Sequence, residues 1–522
     1  MPQSFSDPRR LGPRRWWALG AVSLAVLAVG LDGTVLSVAL PTLATRLHAS
    51  ESQLQWFSSS YLLVLAAAML PAGVLGDRYG RKRVMLIALA LFAVGSAACA
   101  ASSSSGGFIA ARALLGIAGA GVIVMAVSAL TVLFDERERP KAVGVWAAAN
   151  FLAIPIGPIL GGWLLTHYWW GWVFLMNVPV TVLGFVVVAT LVPESRAVRR
   201  PGLDPVGIVT SVAGLVGVTY GLIEAGEHGW GTAGALLPIA GGLALLAAFI
   251  AWERRLGRRP GGRPLLDLRL FRSASFTWGV ILAAIAVMAM IGVLFTMPQY
   301  FQGVLGTDAM GSGVRLLPLI GGLIAGALPA DRLVHAAGAK LVAALGFALI
   351  AVGLLLGAEM SATSGAGSIA IWMAVLGAGM GLATATASSA ALSELSDEHS
   401  GVGSAVLQAV NKTGGPFGAA ILGSVLTSAY LARLELVGVP AAAAHLARES
   451  VFGGVAVAQR LHSPALLHSV RAAFVHGTDQ ALVVSAAIAL AGVLLAILFL
   501  PAARLSADLR PSGTESDVAV ST

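Results

Sequence analysis

Four ionisable side chains fall inside long apolar stretches of this 522-residue chain: Asp32, Arg112, Lys412 and Glu224. A charge at bilayer depth is expensive, so such residues mark proton relays, ion paths or substrate contacts unless a structural partner explains them. Asp32 lies more than halfway along the first apolar stretch, and Arg112 lies near the start of the fourth. At about 1.5 Å of rise per residue the two fall within about 6 Å of one depth, a gap that an extended arginine bridges. A carboxyl there can bind and release a proton, and the guanidinium can hold it ionised between those events. Asp32 is therefore a candidate proton-coupling group with Arg112 as its counter-ion; the alternative is a permanent structural ion pair. Glu224, near the end of the seventh stretch, is either a further coupling group or an interfacial residue. Lys412, near the middle of the thirteenth, either meets substrate in a cavity or reaches toward water along its own stem.

The stretches that must position these groups dominate the composition. The chain is 57% hydrophobic and only 11% charged, with a mean hydropathy of +0.85. A soluble domain is about a quarter charged, so the solvent for most of this surface is lipid. Fourteen spans are expected, near 16–41, 53–75, 84–101, 107–130, 142–166, 171–192, 205–225, 232–252, 274–300, 312–330, 340–358, 368–391, 402–428 and 480–501. The first follows a basic segment like that of a signal peptide, but it is too long for one and is read as a retained helix.

The net charge of +8 is read as orientation, not as a footprint for nucleic acid. With a cytoplasmic N-terminus, most of the Lys and Arg residues fall on the inner side, including Arg254, Arg255, Arg258, Arg259, Arg263, Arg269 and Arg272 in one loop. Both termini are then cytoplasmic, in a multi-pass protein of a bacterial inner membrane. Trp16, Trp17, Trp252 and Trp278 fall at inner interfaces and Trp169, Trp170, Trp172 and Trp230 at outer ones, as interfacial anchors do. Cys99 is the only cysteine, which excludes an intramolecular disulfide and a thiolate cluster. His445, His462, His468 and His476 lie in one outer segment, near 429–479, at spacings that match no metal site. The segment is read as a long loop, and the tail beyond Leu505 as polar and disordered.

Two motifs recur about 250 residues apart. Gly73-Val-Leu-Gly-Asp77-Arg78-Tyr-Gly80-Arg81-Lys82 closes the second span, and Gly326-Ala-Leu-Pro-Ala-Asp331-Arg332, followed by Gly338 and Lys340, closes the tenth. Gly157-Pro158-Ile-Leu-Gly161-Gly162 in the fifth is echoed by Gly414-Gly415-Pro416-Phe-Gly418 in the thirteenth. Parallel six-helix repeats are a transporter architecture. The expected organisation is a cytoplasmic segment 1–15, a six-helix bundle 16–192, two extra helices with a basic loop 193–273, a second six-helix bundle 274–501, and a tail 502–522. Asp77, near a helix N-terminus, is favoured by the macrodipole and can latch one half to the other, with Gly73 and Gly80 allowing close approach and a tight turn. The alternative is a basic membrane anchor. Pro155 and Pro158 remove backbone donors while Gly157, Gly161 and Gly162 let backbones touch, which predicts a bent helix at the interface between halves.

These segments resemble the major facilitator superfamily, and within it the 14-helix drug:proton antiporter family. Gly73 to Arg83 resembles the superfamily's loop motif, and Gly157 to Gly162 its antiporter motif. Leu31-Asp32-Gly-Thr34-Val35-Leu-Ser37-Val38-Ala39-Leu40-Pro41 resembles the 14-helix family's first-helix motif, and Trp172-Val-Phe174-Leu-Met-Asn177-Val178-Pro179 its signature at the sixth. The likeness runs from about residue 16 to 501. It departs at Ser37, where asparagine is usual, at Leu115, where glutamine is usual, and at Asn411-Lys412, near which an arginine is usual. The resemblance implies an all-helical major facilitator fold in which Asp77, Arg78 and Arg81 hold the cytoplasmic side closed. The implied activity is proton-coupled export of hydrophobic or amphipathic small molecules, with protons as coupling ion and no cofactor. A monomer in the lipid bilayer is expected.

Met125, Trp146, Asn150, Phe151, Met290, Phe295 and Lys412 are candidates to line the cavity, whose mostly apolar walls would suit greasy ligands. A dedicated exporter of one metabolite, amino acid or lipid fits the same residues. A membrane-embedded enzyme is disfavoured, because no HExxH, facing aspartate pair or histidine at membrane depth occurs. The chain alone holds no GxxxxGK[ST] loop for an ATP-driven pump.

Overall fold

Without water to satisfy its backbone, a chain crossing lipid must close its hydrogen bonds within each segment, and helices do so. In the computed structural model every apolar stretch is helical, and no strand occurs among the described residues. These are 14–134, 138–196, 204–259, 264–361, 364–393 and 397–501, with the backbone alone at 131, 139, 140, 143, 147, 148, 150, 151, 155 and 397–405.

The first half comprises α1 (Arg14–Arg46), α2 (Glu51–Tyr79), α3 (Arg81–Ala101), α4 (Ser105–Leu133), α5 (Arg139–His167) and a sixth span in two pieces, α6 (Trp172–Leu175) and α7 (Asn177–Leu191). The pair α8 (Pro205–His228) and α9 (Ala233–Arg258) follows. The second half opens with α10 (Ala274–Gln299), then a span divided into α11 (Ala309–Arg315), α12 (Leu317–Ala327) and α13 (Ala330–Ala337). It continues through α14 (Ala339–Gly357), α15 (Ala366–Leu392), α16 (Asp397–Arg433), α17 (Ala441–Glu449), α18 (Val451–Arg460) and α19 (Pro464–Phe499).

Thirteen segments among the described residues are long and apolar enough to cross a membrane. The fifth place belongs to α5, whose 29 residues pack between α1 and α11. Fourteen spans result, as expected. Helix starts carry the polar caps that orphaned backbone donors need. Ser50 and Gln53 form a reciprocal capping box on α2, and Ser104, Asp204, Ser273, Asp308 and Ser463 cap α4, α8, α10, α11 and α19.

Each half buries its own apolar core, one centred on Val22, Phe57, Leu89 and Phe108, the other on Phe276, Phe347, Met373 and Leu482. The repeat read from sequence extends to backbone conformation. Gly80, between α2 and α3, has φ +118°, and Gly338, between α13 and α14, has φ +85°. Both turns use the left-handed region that glycine enters without strain.

The inserted pair does not part the halves. Glycines at 214, 217 and 221 bring α8 onto α9 near Gly242, and α8 then lies along the seam where α2 meets α16. Ser424 of α16 donates to the carbonyl of Leu222, and Ser428 donates to that of Gly226 at 3.2 Å.

The segment near 429–479, expected to be a long loop, is a correction to the sequence reading, because most of it is helical. α16 continues to Arg433, α17 and α18 follow, and α19 runs unbroken from Pro464 through the expected start at 480. Short amphipathic helices escape a hydropathy reading because only one face is apolar: Ala444, Ala447, Val451, Val457 and Val470 are buried while His445, His462 and His468 are exposed. Tyr430 pins this cap by donating to the Ala447 carbonyl at 2.7 Å. Three of the tryptophans expected at the interfaces make specific contacts. Trp252 donates to the Asp204 carboxylate at 3.0 Å, Trp278 stacks on Phe499 at 4.3 Å, and Trp16 meets Phe134 edge-on.

Candidate functional site

Glycines in α4 build the centre of the first half. A Cβ at Gly116 would collide with the Tyr61 carbonyl of α2 at 2.6 Å, and one at Gly119 would crowd Val29 of α1 at 3.2 Å. Bare glycine lets α4 close on both helices and carries Arg112, one turn earlier, into their midst. There Arg112 pairs with Asp32, both side chains being essentially without solvent contact. The depth estimate made from spacing therefore holds. Arg112 Nε also donates to the Phe57 carbonyl at 3.1 Å, and its guanidinium lies 4.4 Å from the centre of the Tyr61 ring. Asp32 Oδ1 accepts from Asn177 Nδ2 at 3.2 Å, and Tyr61 donates to the Val29 carbonyl at 2.9 Å. A buried ion pair stands only when its remaining hydrogen-bonding capacity is met in this way.

In the sequence Asn177 stands out only as part of the signature at the sixth span, and nothing singles out Tyr61. Uncharged polar groups in a membrane helix have a low enough cost that position alone does not single them out.

Arg112 also reaches the seam between the halves. There Gly33, Ser37, Leu62 and Arg112 of the first half and Ile291 and Phe295 of the second line a small, water-sized cavity. Of the residues expected to line it, Phe295 does so. Met125 instead packs against Gly76 between α2 and α4, while Trp146 and Met290 are half-buried against the cores of their own halves. The side chains of Asn150, Phe151 and Pro155 lie outside the described residues. Glu224 joins neither Asp32 nor Arg112 and pairs with His228 at 3.0 Å, one turn along α8.

Contacts between the halves gather toward one end of the bundle, opposite the end carrying Arg81, Lys82 and Arg254. Gln299 donates to Glu51 at 3.1 Å, Gln55 to Thr427 at 3.5 Å, and Gln302 to the Val38 carbonyl at 3.2 Å. The fifth-span motif contributes to two packings, one more than expected. Gly157 and Gly161 face Thr34 and Val35 of α1 within the same half, and Thr34 donates to the Ala153 carbonyl at 2.9 Å. Gly162 and Pro158 face the other half, where a Cβ on Gly162 would lie 2.8 Å from the Ala309 carbonyl oxygen, and Gly313 abuts Pro158.

At the basic end Asp77 lies in the last turn of α2, not near that helix's N-terminus, and pairs with Arg81 at the start of α3 at 2.9 Å; no ion pair joins it to the second half among the described residues. Gly73 faces Val124 of α4, and Arg78 lies over the Tyr79 ring. Glu194, which the sequence reading passed over, caps α3. It accepts from the Lys82 backbone N–H at 3.1 Å and lies 3.7 Å from Arg83. Lys82 Nζ reaches the Ala189 carbonyl at 2.7 Å. A Cβ at Gly80 would sit 2.7 Å from the Glu194 carboxyl, on a backbone already at positive φ. Gly80→Ala is expected to lose about 1–3 kcal/mol and Glu194→Gln about 0.3–1 kcal/mol. Thermal unfolding of the purified variants should therefore rank wild type above Glu194→Gln, with Gly80→Ala lowest.

Two six-span halves related by a repeat, with a buried ion pair close to the seam where they meet, are the architecture of a secondary transporter. Residues 22–419 match the Major Facilitator Superfamily model. The chain belongs to that superfamily.

It is 33% identical to a tetracenomycin C resistance and export protein of Streptomyces glaucescens, over 93% of this chain and 91% of that one. It is also 33% identical to the multidrug efflux pump LfrA of Mycolicibacterium smegmatis, over 92% and 95%. A methyl viologen resistance protein of Salmonella typhimurium is 31% identical over 90% and 95%. Among solved structures, the fold is similar to a bacterial homologue of the lysosomal transporter Spinster in an inward-facing, unoccupied conformation. That match has a TM-score of 0.65 at 17% identity, over 94% of this chain and 97% of that one.

Proposed function

We propose that the chain is a proton-coupled antiporter that exports hydrophobic or amphipathic drugs and antibiotics across the bacterial inner membrane by alternating access. The observation that carries this reading is the Asp32–Arg112 pair, buried within the first half with Arg112 bordering a small cavity at the seam. The relatives' activities supply the substrate class. The basic end is then cytoplasmic, together with both termini, and the cavity takes substrate from that side.

Neutralising Asp32 with a proton would cancel its attraction for Arg112 and free the guanidinium to shift against Phe57, Tyr61 and the cavity. Losing that proton would restore the pair. Glu51, Gln55 and Gln302 bond across the opposite, outer end, so their partners must separate for substrate to leave. Asp77 and Arg81, bonded to each other in this structure, would engage the second half when the inner end closes. Gly162 and Pro158 set how closely the halves meet outside.

Inverted membrane vesicles test the reading. Energised vesicles should accumulate lipophilic dyes, and collapsing the proton gradient should return accumulation to that of vesicles lacking the protein. Transport that persists after collapse would remove proton coupling. Transport of one compound from a broad panel would favour a dedicated exporter, the activity named for the tetracenomycin relative.

A further inference from the structure

Glu51 is a buried carboxyl that takes no part in the Asp32–Arg112 pair. It is the first residue of α2 and is 4% exposed, at the end of the seam opposite the basic one. Its Oε1 accepts from Gln299 Nε2 of the second half at 3.1 Å, and Gln299 has no solvent contact. No salt bridge reaches Glu51 among the described residues. Its titratable neighbours supply no counter-ion. α8 brings Glu227, whose negative charge acts on Glu51, and Glu224, bonded to His228. α16 brings Tyr430, whose hydroxyl is given to the Ala447 carbonyl. Lys412 of α16 is about 22 Å from Thr427 along the helix axis and lines no part of the seam cavity, contrary to expectation. From α4, Arg112 is taken by Asp32 and the Phe57 carbonyl. On the connection from α1, Arg46 and His48 are exposed.

A second observation says what this carboxyl needs. Gln299 Oε1, on the carboxamide that donates to Glu51, is buried without a hydrogen-bond partner. An ionised carboxylate can only accept, so it leaves that oxygen orphaned. A neutral carboxyl has one O–H to give. With a carboxamide it forms a reciprocal pair, N–H to the acid oxygen and O–H to the amide oxygen. The N-terminus of α2 attracts the anion, but its pull is smaller than the cost of burying a carboxylate without a counter-ion.

We propose that Glu51 is a second proton-binding site, on the outer side, and that a proton taken from outside closes the outer end by completing the reciprocal pair with Gln299. The inference goes beyond the export reading and rests on it only for which end faces out. When the halves part, water reaches Glu51 and the carboxyl ionises, returning its proton to the same side. The proton therefore moves the balance of states without crossing the membrane, and coupling stays with Asp32. Closure binds a proton that opening releases, so the closed state gains as the outside pH falls and is lost as it rises. An acidic exterior thus returns the emptied carrier to its inward-facing form.

Spin labels on Ser103→Cys, between α3 and α4, and Gly367→Cys, at the start of α15, measure the width of the outer mouth in full-length protein on a Cys99→Ala background. Both positions are exposed, one in each half. Electron paramagnetic resonance in lipid nanodiscs at a series of pH values, without substrate or gradient, gives the closed and open populations. In the parent the closed-to-open ratio should rise as pH falls, by up to about tenfold per pH unit, the limit for one proton. Glu51→Gln keeps the reciprocal pairing as two carboxamides and should hold the parent's acid-side ratio at every pH. His48→Asn and His228→Gln should retain the parent's response. A parent ratio that ignores pH, an equal response in Glu51→Gln, or loss of the response with either histidine variant would overturn the site. If the response depends on Glu51 but vesicle transport survives collapse of the gradient, the outer site stands and proton coupling falls. If Glu51→Gln keeps the full response and transport still needs the gradient, the reverse holds.

Discussion

Asp32→Asn is expected to reduce gradient-driven export to the level of empty vesicles, and restoring charge balance should not rescue it. The substitution keeps the shape of the side chain and the hydrogen bond from Asn177, but it leaves Arg112 buried without its counter-ion. Breaking one partner of a buried pair typically costs about 3–5 kcal/mol, so the single variant should also unfold at a lower temperature. The double variant Asp32→Asn/Arg112→Gln removes the orphaned charge as well. Its thermal stability should recover most of the loss, since a neutral pair of similar volume often replaces a buried ion pair without penalty. A structural ion pair and a proton-coupling group diverge here. If the pair only holds helices together, the stabilised double variant transports. If Asp32 carries the proton, it remains inactive. Thermal unfolding and vesicle transport on the same preparations separate the two.

Gly162→Leu is expected to disrupt the packing of the two halves at the seam. Its Cβ would lie 2.8 Å from both the Ala309 carbonyl oxygen and the Met310 Cα, and neither backbone can move aside without shifting α11. Overpacking of this kind costs about 1–3 kcal/mol. Here the cost falls on one conformation, the one in which the halves meet at the outer end. A bias of that size shifts the balance between outer-closed and outer-open states by about 5–150-fold. Cys99 is buried, so a Cys99→Ala background carrying Ser58→Cys provides a single reporter in the cavity wall. An impermeant maleimide added outside cells should label Ser58→Cys slowly in the parent and at least several-fold faster with Gly162→Leu, while export is lost. Gly144→Ala, on the same helix with open space around its Cβ, should change neither. Unaltered labelling in the Gly162 variant would mean that this packing does not close the outer side.

How much of this was legible in the sequence depended on what each residue costs to place. Asp32 and Arg112 stood out because ionised groups in lipid demand a partner, and one helical rise was enough to match their depths. The spans followed from hydropathy, and Gly80 and Gly338 from a repeated loop. Asn177 and Tyr61, which complete the pair's surroundings, are inexpensive at that depth and gave no signal of their own. Glu194 was hidden because it caps a helix that begins more than a hundred residues earlier. The docking of α8 on α16 rests on Ser424, Ser428 and Gly226, residue types too common in membrane helices to name their partners. The helical cap beyond Arg433 was read as a loop because its apolar residues form stripes, and a stripe does not raise hydropathy as a full span does.

The central claim is that Asp32 gives up a proton as substrate binds. Purified protein in a weakly buffered detergent solution with a pH-sensitive dye measures this without any gradient or vesicle. Adding a transported compound to the wild type should release protons in proportion to the fraction bound, and Asp32→Asn should bind the compound with no release. Equal release from the two proteins, or binding by the wild type with none, would contradict the account.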